Sequence, residues 1–245
     1  MAIKVPRWRG ETLRAALFDL DGTLLDTVDG IAAGLNQALA EQQLGTVAGS
    51  QVHDMIGRGA PILIARALAL LQVPANATDQ NVLLERFYVH YGQILAREEC
   101  TPRVYSGVAA GLSELYSLGL RLAVVTNKHQ RFAAGLLTRL GLHQWIEVVI
   151  GGDSCEHRKP DPQPLQLACA GLRVGVSGAL MVGDSTTDVL AARAAGLPVI
   201  CVPYGYNEGR DPRSLACDAF VETIADLPAL LLGDSLPQVS LSPHA

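Results

Sequence analysis

Paired cysteines, blocks of one charge and long apolar runs are what this chain has least of, and each scarcity removes a class of protein. The five cysteines, Cys100, Cys155, Cys169, Cys201 and Cys217, are odd in number, and no two stand close enough for a CxxC site. That pattern fits reduced thiols in a cytoplasmic protein rather than a disulfide framework. His53, His90, His129, His143, His157 and His244 show no metal-ligand spacing and read as surface or packing residues. The net charge is −5 and no basic stripe stands out, which argues against a nucleic-acid partner or an anionic membrane surface. No apolar run approaches the length needed to span a bilayer. Met1 to Gly10 carries Lys4, Arg7 and Arg9 with no apolar segment behind them, so no signal peptide is expected. Asn76-Ala77-Thr78 then reads as a chance match to a glycosylation sequon. Neither GxxxxGK[ST] nor a complete GxGxxG occurs, so nothing supports nucleotide binding through those loops.

What the chain does have is apolar residues, 49% of its 245. That allows a sizeable core, as one large domain or as a core with a smaller insert, and argues against disorder. The run Ala15-Ala16-Leu17-Phe18 reads as a buried strand. Four later segments read as strands ending in polar or turn residues: Arg121 to Asn127, Ile146 to Asp153, Ala179 to Asp184 and Pro198 to Gly205. Helical spacing separates them at Val108–Leu118, Phe132–Leu140, Pro164–Leu172 and Thr187–Ala195. Strands alternating with helices predict a parallel sheet covered on both faces, whose ligands bind beyond the carboxyl ends of the strands. Asp26 to Cys100 breaks the rhythm. Ile31, Leu35, Ala38 and Leu39 repeat at helical spacing, as do Leu63, Ala67 and Leu70-Leu71, and Leu83-Leu84, Phe87 and Tyr91. About four helices are expected there, forming an insert that can act as a lid. The predicted division is a core of 1–25 and 101–232, a helical cap of 26–100, and a fraying tail of 233–245.

Asp19-Leu20-Asp21-Gly22-Thr23, directly after the first strand, is the most informative stretch. Residues two apart on an extended chain point the same way, so Asp19 and Asp21 project together, and Gly22 lets the backbone turn. Two neighbouring carboxylates repel unless a positive group joins them, and a hard cation such as Mg²⁺ is the usual solution. The pair also separates roles, since one carboxylate can attack while the other moves a proton.

With three further pieces, Val124-Val125-Thr126-Asn127-Lys128, Arg158-Lys159-Pro160-Asp161-Pro162 and Val182-Gly183-Asp184-Ser185-Thr186-Thr187-Asp188, the chain resembles the phosphatases of the haloacid dehalogenase superfamily. Each residue alone has an ordinary reading: Asp-Gly marks turns, Thr126 suits a strand, Lys159 a surface, Asp188 a helix start. Four pieces in order, each at a strand end or helix start, are far more specific. The resemblance implies a Rossmann-like parallel core with helices on both faces and an all-helical cap inserted after the first strand. It implies Asp19 as nucleophile and Asp21 as general acid and then base. Thr126 and Asn127 would bind phosphate, and Lys159 would neutralise charge. Asp184 would complete a Mg²⁺ site with Asp19 and the Asp21 carbonyl, and Asp188 would orient Lys159 or a metal-bound water. The second carboxylate, Asp21, argues against dehalogenase chemistry, which needs no proton donor.

A narrower resemblance, to bacterial phosphoglycolate phosphatases, rests on Ile56-Gly57-Arg58-Gly59-Ala60, Ala65-Arg66-Ala67-Leu68 and Pro203-Tyr204-Gly205-Tyr206-Asn207. It implies a small phosphorylated metabolite, 2-phosphoglycolate first, with Arg58 pairing to its carboxylate; a solvated surface arginine is the competing reading of Arg58. Sugar-phosphate phosphatase, phosphomutase and pyrophosphatase activities on the same scaffold stay open, as does a degenerate member kept as a regulatory partner.

Overall fold

The computed structural model describes residues 5–74, 78–97 and 101–233. Among them, six parallel strands form one sheet: β1 (Ala15–Phe18), β2 (Arg121–Val125), β3 (Ile146–Ile150), β4 (Ala179–Gly183), β5 (Val199–Cys201) and β6 (Ala219–Phe220), in the order β6-β5-β4-β1-β2-β3. Every residue of β1 and β4 is buried. Burial on both faces explains why these strands read as continuous apolar runs rather than alternating ones.

Side chains alternate between two cores. Ala16, Phe18, Leu122, Val124, Leu180 and Val182 face α5 (Val108–Ser117), α6 (Gln130–Arg139) and α9 (Leu227–Leu232). Ala15, Leu17, Ala123, Val125 and Met181 face α7 (Gln163–Gly171) and α8 (Thr186–Ala195). The register aligns the strand ends: Phe18 lies opposite Val124 on one side and Val182 on the other. Asp19 therefore stands level with Val125 and Gly183, the last residues of β2 and β4, and Thr126 and Asp184 leave the sheet one residue further on, where the chain's direction across the sheet reverses around β1.

Between β1 and β2 the chain forms α1 (Val28–Glu41), α2 (Gly49–His53), α3 (Ala60–Leu70) and α4 (Gln80–Arg97). They enclose a third apolar cluster with Leu35, Leu39, Ile64, Leu83 and Phe87 at its centre. Phe132 of α6 and Tyr206 from the loop after β5 join that cluster from the sheet side. Gly34 lets α1 and α4 approach closely, since a Cβ there would lie 3.1 Å from that of Tyr91. The two crossings between sheet and helices are tied by an antiparallel pairing of Leu25–Asp26 with Arg103–Val104.

Several boundaries shift from those expected. The strands stop short of their polar ends, the last most of all, spanning Val199–Cys201 rather than Pro198–Gly205. Pro198 and Pro203 flank it and cannot donate to a ladder. Leu70, expected on a buried helical face, is 43% exposed, and Leu68 is buried instead. Strand β6, helix α9 and a hairpin of Arg7–Trp8 with Glu11–Thr12 were not expected. Cys155, Cys169, Cys201 and Cys217 are free thiols. Cys100, Asn76, His244 and the tail beyond Gly233 lie outside the described residues. Among the described residues, no helix is long and apolar enough to cross a membrane.

Candidate active site

The loop after β1 is wound by its own backbone: Leu20 accepts hydrogen bonds from the amides of Leu24 (3.0 Å) and Leu25 (2.9 Å), and the Gly22 amide donates to Leu25 (2.9 Å). Gly22 has φ 91°, and a Cβ there would lie 2.4 Å from Asp184 Oδ2. Both facts demand glycine, the first for backbone sterics and the second because Asp184 must come that close. The turn leaves Asp19 buried beneath the sheet ends, with Asp21 beside it and slightly more exposed.

Four strand or helix ends bring the partners. Thr126 and Asn127 follow β2, Lys159 precedes α7, Asp184 follows β4, and Asp188 lies in the first turn of α8. Lys159 Nζ sits 3.0 Å from Asp19 Oδ1 and 2.6 Å from Asp188 Oδ1. The second Asp188 oxygen accepts from the Ser185 hydroxyl (2.7 Å) and amide (3.1 Å), so this carboxylate is already fully engaged and fixes Lys159 in place. Asp184 accepts from the Thr23 hydroxyl (2.7 Å) and the Tyr206 amide (2.8 Å). Asp21 accepts from the Thr27 hydroxyl (2.6 Å) and pairs with Lys128 Nζ (3.0 Å). Asn127 donates from Nδ2 to the carbonyls of Lys159 (2.9 Å) and Gly57 (3.0 Å), joining the sheet end to the loop between α2 and α3.

Carboxylate oxygens of Asp19, Asp184 and Asp188 come within 4.8 Å of one another, an acidic group able to hold a metal ion. Two observations test the fit. Asp19 Oδ1 is buried with no well-aligned hydrogen bond, although Lys159 is near. In addition, four carboxylates (Asp19, Asp21, Asp184, Asp188) face only two ammonium groups (Lys128, Lys159), a shortfall that a divalent cation would fill. Without a cation, burial raises the Asp19 carboxyl to about 7; Lys159 opposes the rise while Asp188 and Asp21 add to it. Burial likewise raises Asp184, helped by Asp188 and Asp19. For Lys159, burial opposes the charged form, but Asp188 and Asp19 outweigh it and hold the ammonium at about 12.

Above these groups, between the sheet ends and helices α1–α4, lies a cavity of about 50 Å³. Asp19, Asp21, Thr126, Asn127 and Lys128 line its floor, and Ile31, Gly57, Leu63, Phe87 and Tyr91 its roof. The structure thus brings together every residue singled out in the sequence except Arg58. Gly57 and Gly59 line the cavity, whereas the side chain between them is 47% exposed and faces Glu208 at 4.0 Å. Sequence reasoning gave no role to Lys128, Thr27, Thr23 or Tyr206. Lys128 directly follows the singled-out Thr126-Asn127 pair and carries the one signal that could have found it, a positive charge at a strand end facing an acidic loop. His129, read as a surface or packing residue, also lines the cavity and lies 3.0 Å from Asp153.

A parallel α/β sheet whose strand ends gather a carboxylate pair, a fixed lysine and an acidic metal-type cluster defines a hydrolase scaffold. The chain belongs to the haloacid dehalogenase-like hydrolase family, whose pattern matches residues 16–202. It is 44% identical over 217 residues to a plasmid-encoded phosphoglycolate phosphatase of Cupriavidus necator, covering 89% of this chain and 92% of that one. It is 42% identical to the phosphoglycolate phosphatase of Rhodospirillum rubrum, over 87% and 89% of the two chains. Among solved structures, a predicted phosphoglycolate phosphatase from Haemophilus somnus superposes with a TM-score of 0.81 at 29% identity, over 89% of this chain and 97% of that one.

Proposed function

We propose that this protein is a Mg²⁺-dependent phosphatase that hydrolyses 2-phosphoglycolate to glycolate and phosphate through an aspartyl-phosphate. The observation that carries the reading is the buried Asp19 carboxylate, lining the cavity and held 3.0 Å from the fixed Lys159 ammonium. The kinship with proteins described as phosphoglycolate phosphatases supports the substrate.

In this reading Asp19 attacks phosphorus, forming an O–P bond as the bond to the substrate's alkyl oxygen breaks. Asp21, poised at the cavity edge, donates the proton that the departing alkoxide takes up. Water then attacks the aspartyl-phosphate and gives its proton to Asp21, releasing phosphate and restoring Asp19. The Thr126 hydroxyl and the Asn127 loop hold phosphoryl oxygens. Lys159, positioned by Asp188, balances negative charge on Asp19 and the transferring group. Asp19, Asp184 and the Asp21 carbonyl would hold Mg²⁺, which supplies charge neutralisation at the phosphoryl oxygens when bound. Helices α1–α4 act as the cap that excludes water during transfer. The reduced thiols expected from the unpaired cysteines fit a cytoplasmic enzyme.

The test is phosphate release from 2-phosphoglycolate with and without Mg²⁺. Asp19→Asn is expected to lower kcat by on the order of 10³-fold or more while keeping the far-UV circular dichroism of the parent. Wild-type turnover in that variant, or in the chelated parent, would overturn the assignment.

A further inference from the structure

The cavity lining carries information about the substrate beyond the reacting groups. Ile31, Ile56, Leu63 and Phe87 are apolar, and the polar groups beside them come from Tyr88, Tyr91 and His129. Among the described lining residues Lys128 is the only lysine or arginine. Its side chain is 6% exposed, and Nζ lies 4.7 Å from the ring centroid of Tyr91. Tyr91 lines the same cavity, and its buried hydroxyl has Lys128 as its charged neighbour and no well-aligned hydrogen bond. An ammonium carries three donors. Asp21 occupies one side of it, at 3.0 and 3.2 Å. Asp21 is also held by Thr27 and does not depend on Lys128 alone. A buried ammonium with donor capacity beyond Asp21, beside a buried hydroxyl in the same cavity, is an arrangement that can receive a small anion.

We infer that Lys128 and Tyr91 form a carboxylate subsite, selecting short phosphorylated acids whose carboxylate and phosphate are separated by a single carbon and the bridging oxygen. This inference rests on the phosphatase reading above and specifies it. The subsite takes the role expected for Arg58, which stands outside the cavity lining and opposite Glu208. The carboxylate accepts from Lys128 Nζ and from the Tyr91 hydroxyl, and the phosphoryl group then reaches Asp19 across the same narrow space. Because Tyr91 belongs to α4 and Lys128 to the loop after β2, the acid binds where the two sides of the cavity already meet.

The experiment compares 2-phosphoglycolate with ethyl phosphate, which has the same chain length but no carboxylate. The wild-type enzyme is expected to prefer 2-phosphoglycolate by about tenfold to a hundredfold in kcat/KM, the range of a charge-assisted hydrogen bond. Lys128→Met should bring that ratio close to unity, mainly through KM for 2-phosphoglycolate. Tyr91→Phe should reduce it by a smaller factor, and Arg58→Ala should leave it unchanged. A ratio that persists in Lys128→Met while both substrates slow together would overturn the subsite and leave Lys128 as a partner of Asp21 only. A wild-type ratio near unity would overturn the subsite while leaving the phosphatase reading intact. Absence of phosphate release from both substrates would overturn both. Should Lys128→Met fail to fold, competition on the unaltered enzyme decides. Glycolate must inhibit ethyl phosphate hydrolysis more strongly than glycolamide, and equal inhibition refutes the subsite.

Discussion

Asp19 is held at a cost to the metal-free protein. Its carboxyl is raised from 3.8 to about 7 by burial. A carboxyl with a raised folded-state pKa binds protons more tightly when folded, so stability is lost as pH rises through the window between the two values. The chelated protein should therefore lose part of its thermal stability between about pH 4 and pH 7, and Mg²⁺ should restore more of it at the upper end. Asp19→Asn should flatten the chelated curve over that interval, making the variant more stable than its parent at pH 8. Differential scanning calorimetry at pH 5 and pH 8, with and without chelator, checks both statements. At this scale the sequence was legible where chemistry and position coincide. Asp19, Asp21, Thr126, Lys159, Asp184 and Asp188 each sit at the end of a recognisable element. Lys128 was not, because a lysine after a strand reads as solvated, and its partner Asp21 is 107 residues away. Arg58 had two readings in the sequence, and its placement was not legible there. Gly57 and Gly59 line the cavity, while the side chain between them is exposed and faces Glu208, and a turn with positive φ at both glycines has no period from which to read that.

Elements here are positioned by backbone contacts that no periodicity announces. Gly111 of α5 lies against the turn before α9, where a Cβ would be 2.3 Å from the Ile224 carbonyl oxygen. Helix propensity favours Gly111→Ala by about 1 kcal/mol. Overpacking against fixed backbone costs about 1–3 kcal/mol, so the variant should be less stable on balance, as urea denaturation would report. A second element-scale case is the loop after β5. The Tyr206 hydroxyl accepts from the Thr27 amide (2.7 Å) and donates to Asp26 (3.0 Å), pinning the strand-to-helix crossing that ends beside Asp21. Tyr206→Phe leaves the buried Thr27 amide without its partner, for an expected loss of about 1–3 kcal/mol. Long strands and helices were readable because burial on both faces or on one stripe leaves a pattern. The two-residue strand Ala219–Phe220 and the pairing of Leu25–Asp26 with Arg103–Val104 were not, since two residues have no period to detect.

At the scale of the whole molecule, an ion pair ties helix α3 to the loop after β5. Arg66 of α3 pairs with Glu208, in the loop after β5, at 2.7 Å, and also donates to the Met55 carbonyl at 3.1 Å. Both side chains are partly shielded, yet a single such pair contributes no more than about 1 kcal/mol to global stability. Arg66→Met should leave the global melting temperature nearly unchanged. It should speed amide exchange in α2 and α3 relative to the sheet, because a local opening needs far less than global unfolding. Hydrogen exchange followed by mass spectrometry separates the two, and uniform acceleration in both regions would refute the local role.

Asn127 bears on how such a molecule can change over generations. It reaches the helices through the Gly57 main-chain oxygen and not through any side chain. The acceptor is main chain, so side chains elsewhere on those helices can change without severing that joint, whereas Gly57 itself, at φ 126°, is held to glycine. New substrates can thus be explored above a reaction centre that need not be reinvented.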